Sequence, residues 1–235
     1  MENKLYGKTI IWDGDSICAG TDEKGNWARR IAERNSMTYK NYAVGGGVIT
    51  ESLQPTESGE MRHCVSLSLE QMQKEFPDAD YIVLEGGTND ADLIEVYGCN
   101  GRLGSVDLYD FSGNYDRNTF CGALESIFYR AINYWYGKKI CCIIPQKMGP
   151  EEDKFKVRAL YFEKVKEICG KWGIPCVDLW HTCLLNPYLS VMYNSEKTSD
   201  ENNEENICMY CDGQHLTSRG YDYTSDIIET FLRTL

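Results

Sequence analysis

The chain has 235 residues, 42% of them hydrophobic and 26% charged. These proportions suit a single globular domain with a core large enough to need no staples. Lys and Arg number 24 against 36 Asp and Glu, a net charge of −12. Such a surface repels phosphate backbones and anionic lipid, so neither nucleic acid nor a membrane is expected as a partner.

No run approaches the roughly 20 apolar residues that cross a bilayer. Met1 to Thr9 carries two lysines with no apolar stretch behind it. No signal peptide is read there, and a cytoplasmic location is expected. The 11 cysteines are an odd number, and Cys141 and Cys142 are adjacent inside an apolar run. Most are expected to be reduced and buried, acting as small hydrophobes.

Short apolar runs predict five strands. In chain order they are Lys8–Trp12, Asn41–Val44, Tyr81–Leu84, Ile140–Ile144 and Ile174–Leu179. Each is nearly continuous in apolar residues, as strands buried on both faces are. Helical spacing fills the gaps between them. Trp27–Arg34 sets Trp27, Ile31 and Ala32 on one face, and Leu67–Phe76 follows the same logic. Phe120–Tyr136 aligns Leu124, Ile127, Phe128, Ala131, Ile132 and Trp135. Phe155–Cys169 aligns Leu160, Phe162, Val165 and Ile168, and a last helix is expected from about Ser218 to Leu235. This alternation implies an α/β domain over residues 1–235, with a parallel sheet between two helical layers. Residues 91–119 and 186–211 do not fit the alternation and are expected to be long loops at one end of the domain.

Four short segments carry candidate chemistry. Gly14-Asp15-Ser16 follows the first strand, at the sheet edge where ligands bind in parallel α/β folds. Ser16 is placed there as a nucleophile, or simply as a helix N-cap. Gly45-Gly46-Gly47 follows the second strand and exposes backbone N–H groups, or is a plain turn. Gly86-Gly87-Thr88-Asn89-Asp90 follows the third; Asn89 could donate to a developing oxyanion or serve a turn. Asp212-Gly213-Gln214-His215 precedes the last helix. An acid three residues from an imidazole can hold one ring nitrogen and leave the other as a base. Of the three histidines, His63, His181 and His215, only the last has an Asp beside it in a turn sequence.

Taken together and in order, these segments resemble the GDSL/SGNH hydrolases. Gly14-Asp15-Ser16-Ile17 is similar to the family's first block and Asn41 to Gly46 to its second. Gly87-Thr88-Asn89-Asp90 is similar to the third, and Asp212 to Thr217 to the fifth. The resemblance implies a flavodoxin-like three-layer α/β/α sandwich with a five-stranded parallel sheet. It implies Ser16 as nucleophile, His215 as general base and Asp212 as its orienting partner. The backbone N–H groups of Ser16 and Gly46 and the side chain of Asn89 would form the oxyanion hole. No cofactor and no metal are implied. No G-x-S-x-G elbow occurs, which separates the chain from α/β-hydrolases.

The expected activity is a serine esterase acting on short acyl esters, acetyl above all, on a carbohydrate or similar polar acceptor. Tyr97, Tyr109, Phe111 and Tyr115 lie among Gly, Asp and Asn in 91–119, a mixture that suits sugar rings if the segment overhangs the site. A lysophospholipase or thioesterase with the same triad, or a non-catalytic binding module on the same fold, are the alternatives. Asp13 stands where the family more often has an apolar residue; it could raise the His215 pKa or face solvent. Cys208 and Cys211, with His181 and Cys183, offer one His and three Cys, a zinc-like set with unusual spacing.

Overall fold

Ile10, Ile11 and Trp12 are completely buried and form the middle of strand β1 (Thr9–Asp13). The computed structural model describes residues 3–21, 25–54, 59–97, 103–149, 151–196 and 208–235. The other strands among these residues are β2 (Thr38–Asn41), β3 (Tyr81–Glu85), β4 (Lys139–Ile144) and β5 (Cys176–Asp178). All four pairings are parallel, in the order β2-β1-β3-β4-β5. The sequence places β1, β3 and β4 within a residue at each end. β5 is shorter than expected, because Leu179 already begins a helix.

β2 corrects the expectation. It lies three residues before the apolar Asn41–Val44 run, and Thr38, Tyr39 and Lys40 are exposed. An edge strand is held in register by backbone bonds to one neighbour, here Thr9 to Thr38, rather than by two buried faces. The apolar run instead carries the chain from the strand end to Gly45.

Helices α1 (Ser16–Ala19) and α2 (Trp27–Asn35) follow β1, and α3 (Val65–Glu75) follows β2. α4 (Thr88–Tyr97) and α5 (Phe120–Tyr134) follow β3, and α6 (Glu152–Trp172) follows β4. The short α7 (Leu179–Thr182) and the final α8 (Ser218–Leu232) complete the set. α2 packs on α8 to make one layer; α3, α5 and α6 make the other, with α4 against α6. The domain is therefore the three-layer α/β/α sandwich. Right-handed crossovers dictate that split, since the chain reverses direction across the sheet after β2.

On α6 the inward face is Tyr161, Phe162, Val165, Ile168 and Cys169; Leu160, expected to point inward, is half exposed. α4 is a second correction, because Thr88-Asn89-Asp90 opens a helix where a loop was expected. In the second segment left without elements, Ser195 and Glu196 are described and the acidic stretch beyond them, 197–207, lies outside the described residues. None of the helices described is long and apolar enough to cross a membrane.

Candidate active site

The carboxyl ends of β1, β2 and β3 meet at one edge, and three of the four sequence segments lie there. Asp15 is the N-cap of α1, its Oδ1 accepting the Ile17 N–H at 2.9 Å. The helix-cap role considered for Ser16 therefore belongs to Asp15, and Ser16 is the first residue inside the helix. Its Oγ lies 2.9 Å from His215 Nε2. The bend requires Gly14, where a Cβ would come within 2.5 Å of Glu85 Oε2 and 2.9 Å of the Cys18 Cβ.

The loop before α8 delivers the imidazole. His215 Nδ1 lies 2.7 Å from Asp212 Oδ2, while Asp212 Oδ1 accepts the backbone N–H groups of Gln214 at 2.9 Å and His215 at 2.7 Å. Burial opposes ionisation of Asp212. The hydrogen bonds and charge of His215 outweigh it and hold the carboxyl well below the ordinary carboxylate range. An ionised carboxylate accepts only, so the ring proton sits on Nδ1 and Nε2 is left to accept from the serine hydroxyl. The chain Asp212–His215–Ser16 is thus polarised in the direction that activates an oxygen nucleophile.

Three further contacts fix the loop, all from residues the sequence did not single out. Gln146 donates to the Gln214 carbonyl at 3.0 Å, and the Gly149 N–H donates to the Gly213 carbonyl at 3.0 Å. Arg158 of α6, almost fully buried, grips the Asp92 carboxylate with two nitrogens and the Gln214 Oε1 at 2.8 Å. Arg158 and Gln214 are 56 residues apart, so no local pattern could have announced the pair.

On the other side of Ser16, the Gly45–Gly47 turn and the start of α4 face each other. Gly46 has φ +76, and a Cβ there would meet nothing within 4 Å. The space on the Cβ side of Gly46 is therefore open. Asn89 Nδ2 donates one hydrogen to the Gly47 carbonyl at 2.8 Å, which leaves its second hydrogen available. Asp90, fully buried, accepts from Ile49 N at 2.9 Å and Thr50 N at 2.8 Å. It ties the residues after the glycine turn to α4, a role the Gly-Thr-Asn-Asp run did not reveal.

Asp13 neither faces solvent nor turns toward His215. It is completely buried, its Oδ1 is 2.6 Å from His63 Nε2, and it accepts from Ser68 Oγ. Asp15 and Glu85 make a second buried acidic element beside Ser16. Glu85 Oε2 accepts the Asp15 N–H at 3.0 Å. Burial, with Asp15 alongside, drives Glu85 far above the usual carboxylate range. Burial pushes Asp15 up to about 6, against the pull of the Ile17 N–H, the Thr88 hydroxyl and His215.

This acid carries a prediction. A carboxyl raised in the folded state binds its proton more tightly there, so its penalty is absent at low pH. The penalty builds as pH rises from 3.8 toward 6. Asp15→Asn removes it. The stability of the variant relative to the natural protein is expected to grow between pH 4 and pH 7 by about 2 kcal/mol. Denaturant titrations at a series of pH values measure this, and a difference independent of pH contradicts it.

The expected aromatic wall is not where the sequence reading put it. Phe111 and Tyr115 pack edge-on against Trp172, with centroids 5.2 and 6.1 Å apart. Trp172 ends α6, which leads into the amino end of β5, so this is the sheet edge away from Ser16. Tyr109, two residues from Phe111, is 92% exposed. The backbone of Tyr97 ends α4, and its side chain lies outside the described residues, as do 98–102. The segment departs from the site because Phe111, Tyr115 and Tyr129 find a common apolar partner in Trp172.

His181, Cys183, Cys208 and Cys211 are not brought together as ligands. His181 Nδ1 bonds Asp178 Oδ2 at 2.7 Å, and Cys211 Sγ bonds the Leu216 carbonyl at 3.2 Å. Beside the Ser16–His215 pair, a cleft of about 270 Å³ is lined by Ser16, Gly20, Thr21, His215, Leu216 and Tyr221.

With this geometry in place, likeness to known proteins is decisive. Residues 14–223 match the GDSL-like lipase/acylhydrolase family. The chain belongs to that family. It is a carboxylic ester hydrolase, and the matched span runs from Gly14, the first residue of the Gly-Asp-Ser segment, to Tyr223 in α8. No curated protein sequence matches significantly. Among solved structures, a protein from Lactobacillus plantarum superposes with a TM-score of 0.70 at 18% identity, covering 98% of each chain. The acetyl xylan esterase AlAXEase gives 0.61 at 17% identity, over 97% of this chain and 100% of that one. Est24, a carbohydrate acetylesterase from Sinorhizobium meliloti, gives 0.60 at 11%, over 97% and 99%. At these identities the likeness establishes the common fold.

Proposed function

We propose that this family member is a serine esterase that removes short acyl groups, acetyl above all, from a carbohydrate or similarly polar acceptor. The observation that carries the reading is the continuous relay from Asp212 through His215 to the Ser16 oxygen, with bonds of 2.7 and 2.9 Å. His215 takes the Ser16 proton as Oγ attacks the ester carbonyl, and Asp212 stabilises the imidazolium. The Ser16 and Gly46 N–H groups and the Asn89 amide receive the oxyanion. His215 passes its proton to the departing alcohol, and water then cleaves the acyl-serine with His215 again as base.

The preference for a short acyl group rests on the cleft of about 270 Å³, bounded by Thr21, Leu216 and Tyr221. That is at the small end of ligand sites. The preference for a sugar acceptor draws on two proteins of like fold, an acetyl xylan esterase and a carbohydrate acetylesterase. It no longer draws on Phe111 or Tyr115. An acidic chain also suits a neutral soluble substrate better than an anionic membrane surface, which argues against a lysophospholipase.

A series of nitrophenyl esters beside acetylated xylose and glucosamine tests both halves. The acetyl ester is expected to be cleaved fastest, with kcat/KM falling by octanoyl, and the acetylated sugars are expected to turn over. Faster octanoyl cleavage with inert sugars overturns the substrate while leaving the triad standing. A complete lack of burst or turnover with every ester favours the binding module.

A further inference from the structure

Three cysteines distant in the chain converge below the sheet's helical cover. Cys142 lies within β4 and Cys176 opens β5; they are register partners on neighbouring parallel strands. Partners in register project to the same face. Cys169, in the last turn of α6, covers that face. The three Sγ atoms lie within 4.8 Å of one another. Cys142 and Cys169 are buried, and Cys176 is partly open to solvent. Among the described residues this is the one group of three or more Cys, His, Asp or Glu ligand atoms so closely gathered.

We infer that Cys142, Cys169 and Cys176 form a structural site for a single thiophilic d10 metal ion, separate from the esterase centre and sharing no residue with it. The sulfur spacing is the first reason. Three sulfurs around one ion at about 2.3 Å stand about 4.0 Å apart, so the side chains need only small adjustments. The donor set is the second. Three thiolates select soft ions, and the hard cations that prefer carboxylate and carbonyl oxygen find no such ligand in the group. Three sulfurs without a fourth donor suit monovalent copper; zinc would complete its shell with water on the open side, at Cys176.

Binding converts the thiols to thiolates, and their protons pass to solvent as the metal–sulfur bonds form. No oxidant is needed, because neither sulfur nor metal changes oxidation state. The ion would join β4, β5 and the end of α6. α6 also carries Arg158, which holds Gln214 in the loop of His215. The site would therefore stiffen the support of that loop without touching it.

The test is titration of the full-length, fully reduced, metal-free protein under anaerobic conditions. The probes are Cu(I) held by a competing chelator, Zn(II), and Cd(II) as a spectroscopic reporter. One equivalent is expected to bind, with a thiolate charge-transfer band for Cd(II), a raised Tm and protection of the three thiols from alkylation. Cys176→Ser, at the partly exposed position, is expected to remain folded and to lose at least about 100-fold in affinity. Cys141→Ala, one residue along β4 and therefore on its opposite face, is expected to bind normally. Binding weaker than the competing chelator for all three ions overturns the inference. So does binding that survives Cys176→Ser, or a disulfide joining two of the three cysteines in the protein as isolated. If the buried Cys142→Ala or Cys169→Ala variants fail to fold, the competition assay on the natural protein and on Cys176→Ser still decides.

Discussion

Ser16→Ala is expected to lower kcat by about a thousandfold or more, with the fold intact. The structure separates the two consequences. The α1 helix is capped by Asp15, so removing the Ser16 hydroxyl takes no cap from it. That hydroxyl bonds His215 Nε2. Surface changes of this kind usually stay within about 0.5 kcal/mol of stability. Chemistry, by contrast, loses the atom that forms the acyl-enzyme. Residual turnover would come from the oxyanion donors and substrate binding, which the variant leaves in place. His215→Ala is expected to cost about as much, and the double variant little more than either alone, because the relay acts as a unit. A serine-directed phosphonate should label Ser16 and no other residue. Labelling elsewhere with Ser16 unmodified, or full activity in Ser16→Ala, rules out the assignment.

The parts of this fold that the sequence makes legible are those specified by their own neighbourhood. β1, β3 and β4 are buried on both faces, so each shows as an uninterrupted apolar run. β2 does not, because Thr38-Tyr39-Lys40-Asn41 is an exposed edge whose position is dictated by its backbone pairing to β1. α4 is hidden for another reason. Thr88, Asn89 and Asp90 are residues that favour turns, and here they open a helix because Asp90 bonds Ile49 and Thr50 across the site. The same division runs through the active site. Asp212 and His215 are three residues apart and announce each other. Glu85 sits at the end of an apolar strand with nothing nearby to mark it as the partner of Asp15, 70 residues earlier. The three thiols of β4, α6 and β5 are equally silent, while Cys208 and Cys211, which look like a pair in the sequence, are not drawn into a cluster.

Asn89→Ala is expected to reduce kcat by roughly 10²–10³ with little change in KM. The amide has two hydrogens. One is committed to the Gly47 carbonyl at 2.8 Å, and that bond aims the group. The other is left for an oxygen that becomes negative only as Ser16 attacks, so its loss falls on the transition state and spares the ground state. Alanine removes the tether as well as the donor, and the two effects need separate readouts. The Gly45–Gly47 turn is also held by the Gly47 N–H on Val44 O at 3.0 Å and, beyond it, by Asp90 on Ile49 and Thr50. A turn so anchored is expected to stay in place, and Tm should change little. Gly46→Ala is the weaker probe, because it forces a side chain into φ +76 and tests backbone geometry without removing the N–H. Measured on an activated acetyl ester, the Asn89→Ala loss should appear in the acylation burst as well as in steady turnover, since both tetrahedral intermediates use the same donors. A rise in KM with kcat unchanged would make Asn89 a substrate-binding group. A large fall in Tm with a proportionate loss of active protein would make it a tether for the glycine turn and nothing more.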